Sequence, residues 1–142
     1  MTQPPPMGAV GAAKTRGVSA RHNLPVDLNT GVTDHPVMHI IDIWVNCPSI
    51  DTADAITDAL LDQQLIACAN RYAPIQSAYV WDGGIQREQE HPLLLKTRAD
   101  LAQQVEDAVR ALHPYDVPPI IRIEATANAD YLAWVHAVTR SM

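Results

Sequence analysis

The run Asp100-Leu101-Ala102-Gln103-Gln104-Val105-Glu106-Asp107-Ala108-Val109-Arg110-Ala111-Leu112 leads straight into His113-Pro114-Tyr115-Asp116-Val117-Pro118-Pro119 and then into Ile120-Ile121-Arg122-Ile123-Glu124-Ala125. In the first part Leu101, Val105, Ala108, Val109 and Leu112 recur at i, i+4, i+7, i+8 and i+11, the period of a helix with one apolar face. The last part alternates as a strand does. Between them three prolines fix φ and remove three amide donors, so the segment fits neither a helix interior nor a central strand and is read as a rigid corner. Helix, corner, strand is half of an α+β layer.

Upstream, His39-Ile40-Ile41-Asp42-Ile43-Trp44-Val45-Asn46 is β-branched, aromatic and short, and it stops at Pro48, which predicts a strand. Ser49 is placed to cap a helix with Asp51 in its first turn and Ala53, Ile56, Ala59 and Leu60 on its apolar side, reaching about Gln64. A strand is expected over Ile66–Tyr72, bent at Pro74, resuming over Ser77–Trp81 and turned by Asp82-Gly83-Gly84. The return strand starts at Ile85, is expected to break at Pro92, and continues through Leu93-Leu94-Leu95-Lys96-Thr97. Asn128 is expected to cap a last helix with Tyr131, Trp134, Val135 and Val138 on one side. The order βαββαβ followed by a helix describes a ferredoxin-like sandwich with a long kinked hairpin arm and one sheet face left uncovered. Large apolar residues on such an arm need protection, and self-association supplies it.

The chain has 142 residues, 47% of them hydrophobic and 18% charged, which suits one ordinary folded domain. No apolar run approaches the roughly 18 residues of a membrane span. A net charge of −6 without a Lys/Arg cluster speaks against nucleic acid as a partner. Residues 1–37 hold five of the eleven prolines and four of the six glycines without an apolar period, and read as a disordered tail ahead of a domain over 38–142. The tail's basic start leaves a targeting peptide and a plain extension as two readings. With only two cysteines, Cys47 and Cys68, in strand-like settings, the cytoplasm is the expected compartment.

Nucleophile elbows, phosphate loops, dinucleotide fingerprints and zinc-protease helices are absent from the sequence. His113 ends a helix, where a histidine ordinarily caps carbonyls. Cys47 and Cys68 would suit a soft metal such as Cu(I) with His113 if folding brought them together, and otherwise pack as small hydrophobes. Glu88, Glu90 and His91 on the arm read as a solvated edge. Lys96 closes an apolar strand, where a lysine usually snorkels or pairs with a carboxylate. Tyr115 and Asp116 are read as packing or as a polar cluster beside His113.

Taken in order, Leu65-Ile66-Ala67-Cys68-Ala69-Asn70, Tyr79-Val80-Trp81-Asp82-Gly83, Leu95-Lys96-Thr97, His113-Pro114-Tyr115-Asp116-Val117-Pro118 and Tyr131-Leu132-Ala133-Trp134 resemble the CutA family of divalent-cation tolerance proteins over about residues 38–140. The resemblance implies a ferredoxin-like subunit in a homotrimer, a non-enzymatic protein, and a link to tolerance of copper or other divalent metals. The copper site proposed for some members uses a first-strand cysteine and two adjacent histidines. Here Val45 and Leu112 stand at two of those positions and His113 is retained, with Cys47, two residues beyond Val45 on the same strand face, as the substitute for the cysteine and Cys68 as a further candidate ligand. The implied cleft between subunits draws on Tyr79, Trp81, Glu88, Glu90, Lys96, Tyr115 and Asp116. The rival reading is a trimeric signalling or scaffold protein resembling the P-II proteins, taking a small molecule or a partner in those clefts.

Overall fold

Alternation along Ile40–Cys47 is the simplest part of the structure to account for: Ile41, Ile43, Val45 and Cys47 turn one way and are buried, and this run is β1. The computed structural model describes residues 39–141. The tail expected over 1–37, and the expected first domain residue Met38, lie outside the described residues. After β1, Ser49 caps α1 (Ile50–Asp62), its Oγ accepting from the Thr52 amide at 3.1 Å. Ala53, Ile56 and Leu60 form the buried stripe of that helix. α1 ends two residues before Gln64, which takes a positive φ of 57° and lets the Leu65 amide return to the Leu60 carbonyl.

β2 (Cys68–Arg71) is shorter than the Ile66–Tyr72 expected, and Pro74 separates it from β3 (Ile75–Trp81). Asp82 and Gly83, both at positive φ (53° and 79°), make a two-residue turn whose twist matches that of the flanking strands. β4 then runs unbroken from Gly84 to Arg98, 15 residues, straight through Pro92. The break expected there does not occur. The Pro92 carbonyl accepts from the Tyr72 amide at 3.0 Å where β2 is giving way to the bend, so the missing N–H removes one bond of a pair at the ladder's end.

A 3-10 turn, Ala99–Leu101, precedes α2 (Ala102–Leu112), so the α-helix starts later than Asp100. Leu101, Ala102, Val105 and Val109 are buried, while Leu112, in the last turn, is 42% exposed. β5 (Ile120–Ala125) follows the corner, and α3 (Ala129–Val138) closes the fold. The Asn128 side chain does not cap α3 but donates to Asp130. Leu132 and Val135 are the buried residues of α3, packed with Ile40, and Trp134 is 44% exposed. The face of α3 is thus set one residue away from the expected stripe.

Sheet order is β2-β4-β1-β5, every pair antiparallel, with β3 joined to the far half of β4. Both crossovers place their helices on the face of Ile41, Ile43, Val45, Leu93 and Leu95, giving the α+β ferredoxin-like sandwich. The opposite face, with Trp44, Leu94 and Ile121 half-buried and Ile123 exposed, is covered only near Ile40 by α3. Among the described residues no helix is long and apolar enough to cross a membrane.

Ile56→Ala empties a fully buried position between α1 and the sheet. It is expected to cost about 2–5 kcal/mol in urea unfolding, against less than about 0.5 kcal/mol for Leu61→Ala on the exposed side.

Candidate functional site

β1 ends at Cys47, in register with His91 of β4, and beyond that point β4 continues with β3 as the arm. The proline corner lies against this root. His113 caps α2 with its backbone, its N–H donating to the Val109 carbonyl at 2.9 Å, and takes the extended conformation (ψ 135°) that a residue before proline prefers. Its ring does not cap the helix. Nδ1 accepts from the Tyr115 amide at 3.2 Å, so the proton sits on Nε2, which donates to the Asn46 carbonyl at 2.8 Å. Burial lowers the imidazole pKa, partly offset by the Asn46 bond. His113 is therefore a neutral, buried clasp between corner and β1, edge-on to the Tyr115 ring at 4.6 Å between centroids.

Tyr115, clasped in this way, donates its hydroxyl to Glu90 Oε2 at 3.1 Å. Glu90 is 1% exposed, and among the described residues no lysine or arginine pairs with it. The solvated-edge reading of Glu90 is thus corrected: beyond the end of β1, the corner and β3 close over that position. Desolvation raises the Glu90 pKa, the Ser77 and Tyr115 hydroxyls counter this, and Glu88 adds to it. Register places Ile75 opposite Glu90, Ser77 opposite Glu88 and Tyr79 opposite Gln86, so Ser77, Tyr79, Glu88 and Glu90 share one face of the arm. Burial, and then Glu88, raise the Tyr79 pKa, and burial followed by Glu90 raises that of Tyr115.

The other expected residues fall elsewhere. Cys47 packs in the core with Ala53 and Val45, and burial, with Glu90 nearby, pushes its thiol up to about 12. Cys68 is in register with Lys96, five residues along β4 from the partner of Cys47. That offset is about 17 Å and places the two sulfurs on opposite faces of the sheet. Cys47, Cys68 and His113 therefore do not form a ligand set within one chain, and His113 has both ring nitrogens engaged. Among the described residues no group of three or more His, Cys, Asp or Glu is arranged to hold a metal. Lys96 pairs with Asp42 at 3.4 Å, both half-buried, as an apolar-strand lysine was expected to. Trp81 ends β3 beside the turn, and Asp116 is exposed on the corner, outside the buried cluster. Ser77 and the Asn46 carbonyl escaped the sequence reading. Their signal was the alternation Ser77, Tyr79 facing Glu88, Glu90, and it is visible only once the hairpin register is counted back from the Asp82-Gly83 turn.

With this geometry in hand, known proteins give a consistent comparison. The sequence model of the family described as CutA1 divalent ion tolerance protein matches residues 41–138. The divalent-cation tolerance protein CutA of Pyrococcus horikoshii is 38% identical over 102 residues, 71% of this chain and 99% of that protein. Protein CutA of Mus musculus is 36% identical over 100 residues, 70% of this chain but 56% of the mouse protein, so the chain spans just over half of that relative. The crystal structure of divalent ion tolerance protein CutA1 from Ehrlichia chaffeensis superposes with a TM-score of 0.70 at 37% identity, covering 75% of this chain and all of that one.

Because the fold favours the neutral form of Glu90, the stability this carboxyl contributes is complete below its unfolded value of 4.5 and is lost as pH rises through the higher folded value. In chelator-treated protein, wild type is expected to lose melting temperature relative to Glu90→Gln as pH rises from 4.5 towards 8. Parallel curves would show that the carboxyl is ionised in the fold. Cys47 is expected to resist iodoacetamide at pH 8 until the protein is unfolded in urea, as read by mass spectrometry of its tryptic peptide.

Proposed function

The chain belongs to the CutA1 divalent ion tolerance family, and from that premise we propose that it is a homotrimeric, non-enzymatic cation-tolerance protein of the cytoplasm whose working site is the arm root around Glu90 and Tyr115. The observation that carries this reading is Glu90 itself, a carboxyl buried at the one point where arm, corner and β1 meet. Burying an ionised carboxyl without a basic partner costs free energy, and carboxyls perturbed in this way cluster at functional sites. Of the groups beside it, the Cys47 thiol is held protonated by burial and the His113 imidazole is tied at both nitrogens. Soft-metal binding through His113, Cys47 and Cys68 is not part of the reading, since those groups are engaged or apart.

Assembly is supported by what the single chain leaves uncovered. Val80 and Ile85, in register with each other near the arm tip, are 75% and 69% exposed, and the sheet face of Trp44, Leu94 and Ile123 is only part-covered. Apolar surface on an arm and on an open sheet face is what a closed cyclic assembly removes from water. In such a trimer Tyr79, Trp81, Glu88 and Lys96 would border the clefts between subunits, next to the Glu90 root.

Size-exclusion chromatography with light scattering is expected to give three times the 15.6 kDa chain mass at micromolar concentration, and a monomer would overturn the reading. Val80→Asp combined with Ile85→Asp should lower that mass or raise the concentration at which the trimer dissociates.

A further inference from the structure

Away from the arm root, strand register sets three unlike side chains in one row on the open face of the sheet: Cys68 of β2 stands opposite Lys96 of β4, and Lys96 stands opposite Asp42 of β1. Residues directly opposite in a ladder share a face, with Cβ atoms about 4.5–5.5 Å apart, so thiol, ammonium and carboxylate are neighbours. Lys96 Nζ lies 3.4 Å from Asp42 Oδ1. A fourth group comes from α3. Tyr131, its ring set against Trp134 at 5.5 Å between centroids, brings its hydroxyl to the Cys68 sulfur: burial raises the phenol pKa, Cys68 raises it further by charge and by accepting the phenol's hydrogen bond, and Asp42 adds to it.

Ordinary packing accounts for Asp42 and Lys96, which satisfy one another, but not for a thiol set beside an ammonium and a phenol. Cys47 shows the contrast. It is fully buried in the core, and burial, with the Glu90 carboxyl nearby, pushes its thiol up to about 12. Cys68 is a free, half-buried thiol on β2, at the edge of the sheet. A cation and an O–H donor are the neighbours that steady negative charge on sulfur, and a partly exposed cysteine in such surroundings is the kind that reacts. Both Lys96 and Tyr131 are also donors for an oxygen added to that sulfur. No second thiol of the chain is within reach, because Cys47 lies on the opposite face, about 17 Å along the ladder.

We propose that Cys68 is a site of reversible oxidation by hydroperoxides, with Lys96 and Tyr131 as its positioning residues, and that the sulfenic acid it forms is capped by a small thiol from solution. In the first step the Cys68 thiolate attacks one peroxide oxygen. An S–O bond forms, the O–O bond breaks, and the departing hydroxide or alkoxide takes up the proton the thiol gave, leaving as water or an alcohol. Sulfur is oxidised by two electrons and the peroxide is reduced by two. In the second step the small thiol attacks the sulfenic sulfur, an S–S bond forms and the oxygen leaves as water, so no further oxidant enters. A dithiol reductant restores Cys68 by exchange. The inference stands apart from the arm-root reading and does not depend on it.

The test is treatment of reduced, chelator-treated full-length protein with hydrogen peroxide while dimedone traps sulfenic acid. The chain has no lysine or arginine between Arg21 and Arg71, so both cysteines fall in one tryptic peptide and fragment-ion mass spectrometry places the adduct. One adduct per chain is expected, on Cys68, forming faster in the native protein than in the urea-unfolded chain, with Cys47 labelled only after unfolding. With glutathione in place of dimedone, Cys68 should carry a mixed disulfide that dithiothreitol removes. Lys96→Met, which keeps the stem and loses the charge, should slow labelling, and Asp42→Asn, which frees the Lys96 ammonium, should speed it, each by at least about threefold. A thiol that is merely exposed does not answer these two changes with opposite signs. Tyr131→Phe, which loses one hydrogen bond, should slow labelling less than Lys96→Met. Cys68 labelling no faster in native than in unfolded wild type, an adduct that falls on Cys47 instead, or equal rates in Lys96→Met and Asp42→Asn would overturn the site, and the first two comparisons need no variant to fold.

Discussion

Everything in this fold hangs on the register of β4. A strand sends alternate side chains to opposite faces, and an unbroken strand cannot change that assignment along its length. Leu93, Leu95 and Thr97 are drawn under the two crossover helices, so the even positions, Glu88 and Glu90 among them, are committed to the other face. Pro92 does not release this constraint, because its carbonyl still accepts from Tyr72 and the strand stays continuous. The same run of chain is thus a central strand of the sheet at one end and half of a free hairpin at the other.

That double duty explains why the polar chemistry gathers at the root. On one side β1 stops at Cys47, and on the other β2 gives way to β3 through Pro74. The proline corner lies against the place where β1 has ended, held there by His113 through two hydrogen bonds from one ring. Its stiffness has a purpose in this setting: a flexible connection would have to lose conformational entropy to present Tyr115 to Glu90, and prolines remove much of that loss in advance. The histidine that looked like a ligand is a fastening, and the glutamate that looked like surface is buried at the arm root under Tyr115.

Much of the fold could be read from local pattern. The periodic residues Leu101, Val105 and Val109, the alternation of Ile41, Ile43 and Val45, the Ser49 cap and the Asp82-Gly83 turn each state a local rule that the tertiary structure obeys. Where reading went astray, packing overrode the local rule. α3 turned Leu132 inward and Trp134 outward because Ile40 offered a small apolar patch that fits the former. At Pro92 the lost amide fell at the one ladder position already ending, which no local preference could reveal.

The sequence by itself therefore determined the elements, their order and the family to which residues 41–138 belong, since these depend on neighbours a few positions apart and on motifs in a line. Only the tertiary structure decided that Cys47 and Cys68 lie on opposite faces about 17 Å apart along the ladder, that His113 carries its proton on Nε2, and that Ser77, Tyr79, Glu88 and Glu90 face one another. Alternation assigns each residue a face, but the partner it meets on that face is fixed by strand register. Register is settled by contacts between segments far apart in the chain, where the burial of Leu93 and Leu95 also settles the fate of Glu90.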